Sequence, residues 1–237
     1  MNDNICCENK YIIDDNYEII LFEYICNIFR NLKIKKINKN ENKKPIIILG
    51  PSGVGKDTMI NKLKNKYKNK DIFYKLPSYT TRSMRPGEKE GVDYYFVTKE
   101  QFEKMEKNDE LFGIQKYNDN SYASNKKDLK RIINEDKIVI LNYNIETANM
   151  VVKGEIKFNY IAIMPPSEKE LENRLIKRGT KPEEIEKRMK NSKKEMNMIE
   201  EADYINFRVV NDNEDECFKE LENYIKKEYA QYFNEYN

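Results

Sequence analysis

The sequence predicts an α/β fold, a parallel sheet flanked by helices, on three observations. Compact apolar runs recur along the chain, Pro45–Leu49, Lys137–Leu141 and Tyr160–Met164 among them, without the polar alternation of a half-exposed strand. Stretches with helical periodicity separate them, which is the order of strand–helix–strand units. Between the first run and the first helical pattern stands a glycine-rich turn, Gly50-Pro51-Ser52-Gly53-Val54-Gly55-Lys56-Asp57-Thr58. The chain has 237 residues, enough for one large domain with an appendage.

Residues 1–44 read as an N-terminal extension. Tyr17, Ile20, Leu21, Tyr24, Ile25, Ile28, Phe29 and Leu32 recur at helical spacing and predict an amphipathic helix from about Asn16 to Lys33. A basic, Asn-rich linker, Lys33–Lys44, follows. Docking on the domain or self-association is the simplest use of such a helix; a partner protein or a membrane surface is another. The sequence does not name its partner. The domain proper spans 45–237.

The glycine-rich turn has the residues a phosphate-binding loop needs. Gly50, Gly53 and Gly55 permit torsions and close approaches that a Cβ blocks. Freed N–H groups then face inward as an anion nest, and the helix after them adds its positive end. Lys56 is placed to reach the outer phosphates, and the pattern G-x-x-x-x-G-K is complete. Asp57 stands where Ser or Thr is usual, and Thr58 brings a hydroxyl one residue late, as a candidate metal ligand. A dinucleotide fingerprint fits less well, because Gly53-Val54-Gly55 would require Gly or Ala where Thr58 stands.

Ile72–Leu76 reads as a second strand. Ser78–Glu88 is a polar stretch with Arg82 and Arg85 and a Pro-Gly turn, suited to binding phosphate through arginine forks or to lying free in solvent. Asp93–Val97 reads as a strand. Thr98 and Gln101 form a capping box for a helix to about Lys107. Leu111–Tyr117 and Ser121–Ala123 read as a hairpin, and Ser124 as the cap of a helix reaching Asn134. After Lys137–Leu141 come Asn142-Tyr143-Asn144 and a helix from about Glu146 to Lys153. Ser167 and Glu170 open a helix carrying Arg174 and Arg178, ended by Gly179. Thr180–Glu183 caps the next helix, which carries Arg188, so that the three arginines sit on a short helical pair able to swing as a lid. Tyr204–Val210 is the last strand, ending in Asn211-Asp212, and a helix from about Asp215 to Tyr232 closes the chain.

Composition narrows the chemistry. Lys and Arg number 43 against 41 Asp and Glu, a net charge of +2, so bulk charge points to no nucleic-acid partner. There is no histidine, which removes His-based catalysis and His metal sites. Cys6, Cys7, Cys26 and Cys217 form no C-x-x-C pair and no disulfide framework, as in a reducing compartment. No apolar run approaches the ~18 residues of a membrane span, and no secretory signal precedes the body of the chain. A cytoplasmic protein is expected, with the basic extension leaving organelle targeting open.

Taken together the motifs resemble the guanylate kinase family over about Pro45–Tyr232. They are G-P-S-G-V-G-K (Gly50–Lys56), T-T-R-x-x-R-x-G-E (Thr80–Glu88), G-x-D-Y-x-F (Gly91–Phe96), P-P-S (Pro165–Ser167), R-L-x-x-R-G-T (Arg174–Thr180), K-R-M (Lys187–Met189) and V-N-D (Val210–Asp212). Each is weak alone, but their order and spacing are the family's. The resemblance implies the P-loop nucleoside monophosphate kinase fold: a parallel-sheet core, a small β-rich monophosphate-binding part at about 78–125, and a helical lid at about 167–189. It implies ATP-dependent phosphorylation of GMP to GDP with Mg²⁺.

By the same resemblance Lys56, Arg85, Arg178 and Arg188 are catalytic. Gly50, Gly53, Val54, Gly55, Lys56, Asp57, Thr58, Arg174, Asn211 and Asp212 bind ATP, and Ser78, Arg82, Arg85, Glu88 and Tyr94 bind GMP. Departures fall on the base side. Gly113 stands where the family has the glutamate that accepts from guanine, Ser121 replaces a tyrosine, and Asn142 and Asn144 replace two carboxylates. Asp57 adds charge near the phosphates. Weakened guanine selection is therefore expected, and Gly113→Glu is expected to raise the preference for GMP. The alternative is a catalytically impaired module that keeps the site to bind a nucleotide or a phosphopeptide.

Overall fold

A computed structural model describes residues 44–117 and 119–234. The N-terminal helix and most of the basic linker expected above lie outside the described residues. The first strand, β1 (Ile46–Leu49), leads into α1 (Lys56–Lys66), β2 (Phe73–Lys75) and β3 (Ser78–Thr80). Next come β4 (Tyr94–Phe96), α2 (Lys99–Lys107), the hairpin β5 (Leu111–Tyr117) and β6 (Asn120–Asn125), and α3 (Lys126–Asn134). The second half runs β7 (Ile138–Asn142), α4 (Ile145–Val151), β8 (Asn159–Met164), α5 (Glu168–Lys177), α6 (Pro182–Glu201), β9 (Phe207–Val210), α7 (Glu214–Glu228) and α8 (Gln231–Asn234).

The main sheet has five strands in the order β2-β7-β1-β8-β9, and its neighbours are all parallel. All four residues of β1 are 0 % exposed, because helices cover both faces. Ile46 and Ile48 pack with Met59, Ile60 and Leu63 of α1 and with Leu221 and Ile225 of α7. Ile47 and Leu49 pack with Leu129 and Ile132 of α3, Ala148 of α4 and Ile199 of α6. A strand covered on both faces has no use for polar alternation. Strand order reverses on either side of β1, so the turn after it opens at the carboxyl edge where ligands of such sheets bind.

The second sheet, β4-β3-β6-β5, is small and mixed. Its strand β3 falls in the stretch expected to be polar loop. Ser78-Tyr79-Thr80 is too short and polar to show strand periodicity, yet it pairs with β4 in parallel and with β6 in antiparallel register. Tyr79 stacks on Tyr95 with ring centroids 4.7 Å apart, and its hydroxyl donates to Asp128 of α3 at 2.9 Å.

One expected cap is displaced, and another falls within its expected stretch, Thr180–Glu183, without a side-chain bond. Asn125, not Ser124, caps α3, accepting from the N–H groups of Lys127 and Asp128. The cap of α6 is Lys181, with Pro182 in the first turn and no side-chain cap bond. That helix is also 20 residues long, where a short one was expected.

Candidate active site

The loop after β1 is held open by its glycines. Gly50 has φ 144°, and a Cβ there would lie 2.2 Å from the Ile163 carbonyl of β8. Gly55 caps α1 at φ 106° with no side-chain cap, so the first amides of the helix face the hollow unsatisfied by any side chain. A Cβ at Gly55 would lie 2.6 Å from Nδ2 of Asn211. That amide donates to the Val54 carbonyl at 2.7 Å and ties the loop to the end of β9. The Asn211 Oδ1 is buried without a hydrogen-bond partner among the described residues.

Lys56 folds back over the loop and donates to the carbonyls of Gly50 and Pro51. Burial holds its amine below the usual lysine range, while Glu195 and Asp57 partly restore the charge. Glu195, on α6, belongs to no motif in the sequence and was not among the expected site residues. Its carboxylate accepts weakly from the Ile145 N–H at 3.4 Å, at the start of α4. Burial raises its pKa, and Lys56 pulls it back down. Glu195 thus lies near enough to Lys56 for each to favour the charge of the other, without a direct contact between them.

Asp57 turns away from the hollow. Its Oδ1 accepts from Lys75 Nζ at 2.9 Å and from Asn142 Nδ2 at 3.2 Å. Partial burial pushes this carboxyl up, but the charge and hydrogen bond of Lys75, with the bond from Asn142, outweigh it and leave it below the usual range. The negative charge expected to oppose phosphates is therefore matched by a lysine from β2. Thr58 follows in the first turn of α1.

The lid arginines divide. Arg188 reaches from α6 to Ser52 Oγ at 3.4 Å and pairs with Glu184 at 3.2 Å. Arg178, at the end of α5, is exposed and lies close enough to disfavour the charge on Lys56. Arg174 is turned aside: it donates to Glu170 at 3.0 Å and to the Asn211 carbonyl at 2.8 Å. It braces the β9 end of the site and does not face the loop's hollow. Asp212 is exposed beside it.

A second group gathers on the small sheet. Ser78 and Tyr94 are partners in the β3–β4 register. Arg82 forms a two-pronged pair with Glu88, at 2.7 and 3.0 Å, and lies over the Tyr94 ring at 5.2 Å. Glu88 also accepts from the Arg85 N–H at 2.7 Å, so one carboxylate shapes the whole turn. Its pKa falls because of the Arg82 hydrogen bond first and the Arg85 N–H next. Arg85 itself projects into solvent.

Between this sheet and α4 runs a cleft of about 460 Å³, lined by Tyr94, Gln115, Tyr122, Asn144, Glu146 and Thr147 among others. Gly113 sits behind it, at a bulge where the β5–β6 register slips between Phe112 and Gln115. It has φ 60°, and a Cβ would lie 2.9 Å from the Tyr143 hydroxyl and 3.1 Å from Thr147 Cγ2. This geometry sets a cost on the Gly113→Glu change. The left-handed torsion costs about 1–2 kcal/mol for any other residue, and the contact with Tyr143 adds to it. Gly113→Glu should lower stability by about 2–3 kcal/mol in urea unfolding.

Comparisons with known proteins agree with this geometry. The family model described as guanylate kinase matches residues 42–228. A guanylate kinase of Clostridium perfringens (strain SM101 / Type A) is 38 % identical over 190 residues, covering 80 % of this chain and 85 % of the relative. A guanylate kinase of Schizosaccharomyces pombe is 33 % identical over 180 residues, covering 76 % and 88 %. The crystal structure of guanylate kinase from Anaplasma phagocytophilum superposes with a TM-score of 0.58 at 27 % identity, over 78 % of this chain and 85 % of that one. With its glycine-framed loop, its small mixed sheet and its arginine-bearing helices over the carboxyl edge of a parallel core, the chain belongs to the guanylate kinase family.

Proposed function

We propose that the protein transfers the γ-phosphoryl group of ATP to GMP, giving ADP and GDP. The observation that carries this is Arg188 of α6 reaching onto the loop over which Lys56 folds, with Ser52 Oγ 3.4 Å from that guanidinium. Phosphoryl transfer of this kind needs positioning and charge neutralisation more than acid–base chemistry, so a chain without histidine suffices. In this reading the loop amides and Lys56 hold the outer phosphates of ATP. Arg178 and Arg188 close over the transferred group, while Arg174, Asn211 and Asp212 frame the adenine end. Ser78, Arg82, Arg85 and Tyr94 hold the GMP phosphate, with Glu88 bracing the arginine turn. The monophosphate-binding part is residues 78–125 and the lid 167–189.

The residues present suit Mg²⁺. Among the described residues no group of three or more acidic, His or Cys side chains forms a metal cage. Thr58, in the first turn of α1, would offer its hydroxyl oxygen to the ion, which keeps several waters and takes substrate phosphates beside few protein oxygens; the Asp57 carboxylate is engaged by Lys75 and Asn142. When bound there, the ion would supply charge neutralisation across the donor phosphates. A cytoplasmic setting belongs to the same reading; no helix among the described residues is long and apolar enough to cross a membrane.

The test is ADP release from Mg·ATP with GMP, against a Lys56→Met control. Turnover equal to the control, or binding of a phosphopeptide by a protein that does not bind ATP, would overturn the assignment. A separate outcome concerns Asp57. Lys75→Met leaves that carboxylate uncompensated and should weaken ATP binding about three- to ten-fold, a modest effect because water screens a largely exposed charge. The double variant Asp57→Ser/Lys75→Met should recover most of the loss, as read by calorimetry.

A further inference from the structure

The cleft beside α4 is lined by Tyr94 and Tyr122, so it takes the nucleobase if the proposed function holds. The polar groups behind it are largely committed elsewhere. Gly113 brings no side chain. Ser124 Oγ is 0 % exposed and accepts from the Tyr143 hydroxyl at 2.6 Å. Asn144 Oδ1 caps α4, accepting from the Thr147 N–H at 2.9 Å. Beside the Tyr94 and Tyr122 hydroxyls, the Lys116 amine and the Asn144 Nδ2, the wall carries the amide of Gln115, the group there that can present either an acceptor or a donor by turning over.

That amide has two nearly equivalent settings. Thr147 Oγ1 lies 2.9 Å from Gln115 Oε1 and 2.7 Å from Asn144 Oδ1. A hydroxyl has one proton and cannot serve both acceptors. If the proton goes to Asn144, a half-turn of the Gln115 amide lets Nε2 donate to the threonine oxygen and points Oε1 into the cleft. If it goes to Gln115, Nε2 points into the cleft instead. A primary amide can therefore meet the N1–H of an oxopurine with its oxygen or the O6 with its N–H₂. It offers no second acceptor for an exocyclic amine at C2.

Glu146 is the one carboxylate lining the cleft. Its side chain is 59 % exposed and paired with Lys194 at 3.2 Å, at the solvent end.

We infer that Gln115 is the base-reading residue of this site, and that the site takes 6-oxopurine nucleoside monophosphates as a class, hypoxanthine as well as guanine. This rests on the monophosphate site of the proposed function. A wall that hydrogen-bonds the C2 amine through a carboxylate loses about 10- to 100-fold when that amine is absent. A neutral amide that ignores it loses little.

The experiment is calorimetric titration of the full chain with GMP and with IMP. Dissociation constants within about three-fold of each other are expected. Gln115→Glu, which makes this group acceptor-only, should bind GMP at least about ten-fold more tightly than IMP. Gln115→Leu should weaken both alike. A ten-fold or larger GMP preference in the unmodified protein overturns the inference, and its abolition by Glu146→Gln would move base reading to the rim. An unchanged GMP to IMP ratio in Gln115→Glu, or binding of neither nucleotide, overturns it as well. ADP release separates the two claims: turnover of GMP with poor IMP binding sinks only this inference. Equal binding of both without turnover supports it while sinking the kinase assignment.

Discussion

Substituting Lys56 by methionine is expected to lower kcat for ADP release at least about 10²-fold, the scale of losing one preorganised charge at a developing anion. The same change should raise the melting temperature of the ligand-free protein near neutral pH. Burial depresses the Lys56 pKa in the folded chain, so the folded state binds that proton less tightly than the unfolded chain does. Below the folded pKa the ammonium therefore subtracts from stability. As pH rises between the folded and unfolded values the amine loses its proton in the folded state, and the penalty shrinks. The thermal advantage of Lys56→Met should accordingly fade in the alkaline range. For the same reason the alkaline limb of kcat/KM, which reports the free enzyme, should fall at lower pH than an ordinary lysine would give. Calorimetry and pH-rate profiles on the two proteins check both statements. Equal melting temperatures at neutral pH would mean the amine is well solvated.

Gly50→Ala is expected to be the most damaging single methyl group. The added carbon would sit 2.2 Å from the Ile163 oxygen and 3.2 Å from Val54 Cγ1, with a backbone φ of 144°. The oxygen belongs to a central strand whose residue 163 is 0 % exposed, so it cannot retreat. Strain and overpacking together cost about 2–5 kcal/mol, or a fall of about 5–15 °C in melting temperature for a domain of this size. Any variant that folds should have its loop displaced and its ATP affinity lost, as read by calorimetry. Gly87→Ala is the matched control: a Cβ there meets nothing within 4 Å, leaving only its torsion at φ 88°.

Much of this was legible in the chain itself, and what was not has particular causes. β1 showed as an unbroken apolar run because both its faces are covered. The loop showed because its chemistry demands glycines and a lysine at fixed intervals. Arg82, Glu88, Ser78 and Tyr94 were legible as motifs, though only the parallel β3–β4 register explains why residues so far apart in sequence become neighbours. Strand β3 itself was hidden, being three polar residues after Pro77.

Partnerships across the fold left no trace in sequence. Lys75 looked like one of many lysines until it met Asp57, and Glu195 is one glutamate in a helix full of charge. Arg174 carried the right motif but spends its guanidinium on Glu170 and a carbonyl. Ser124 looked like a cap because serine usually is one. Its neighbour Asn125 took that place and freed Ser124 for Tyr143.

Helix α6 carries Arg188 on its early turns and Glu195 about two turns further on, with Ser192 buried to 2 % exposure between them. One unbroken helix thus carries both the guanidinium that reaches Ser52 and the carboxylate that favours the Lys56 charge, so any displacement of that rod shifts the two together.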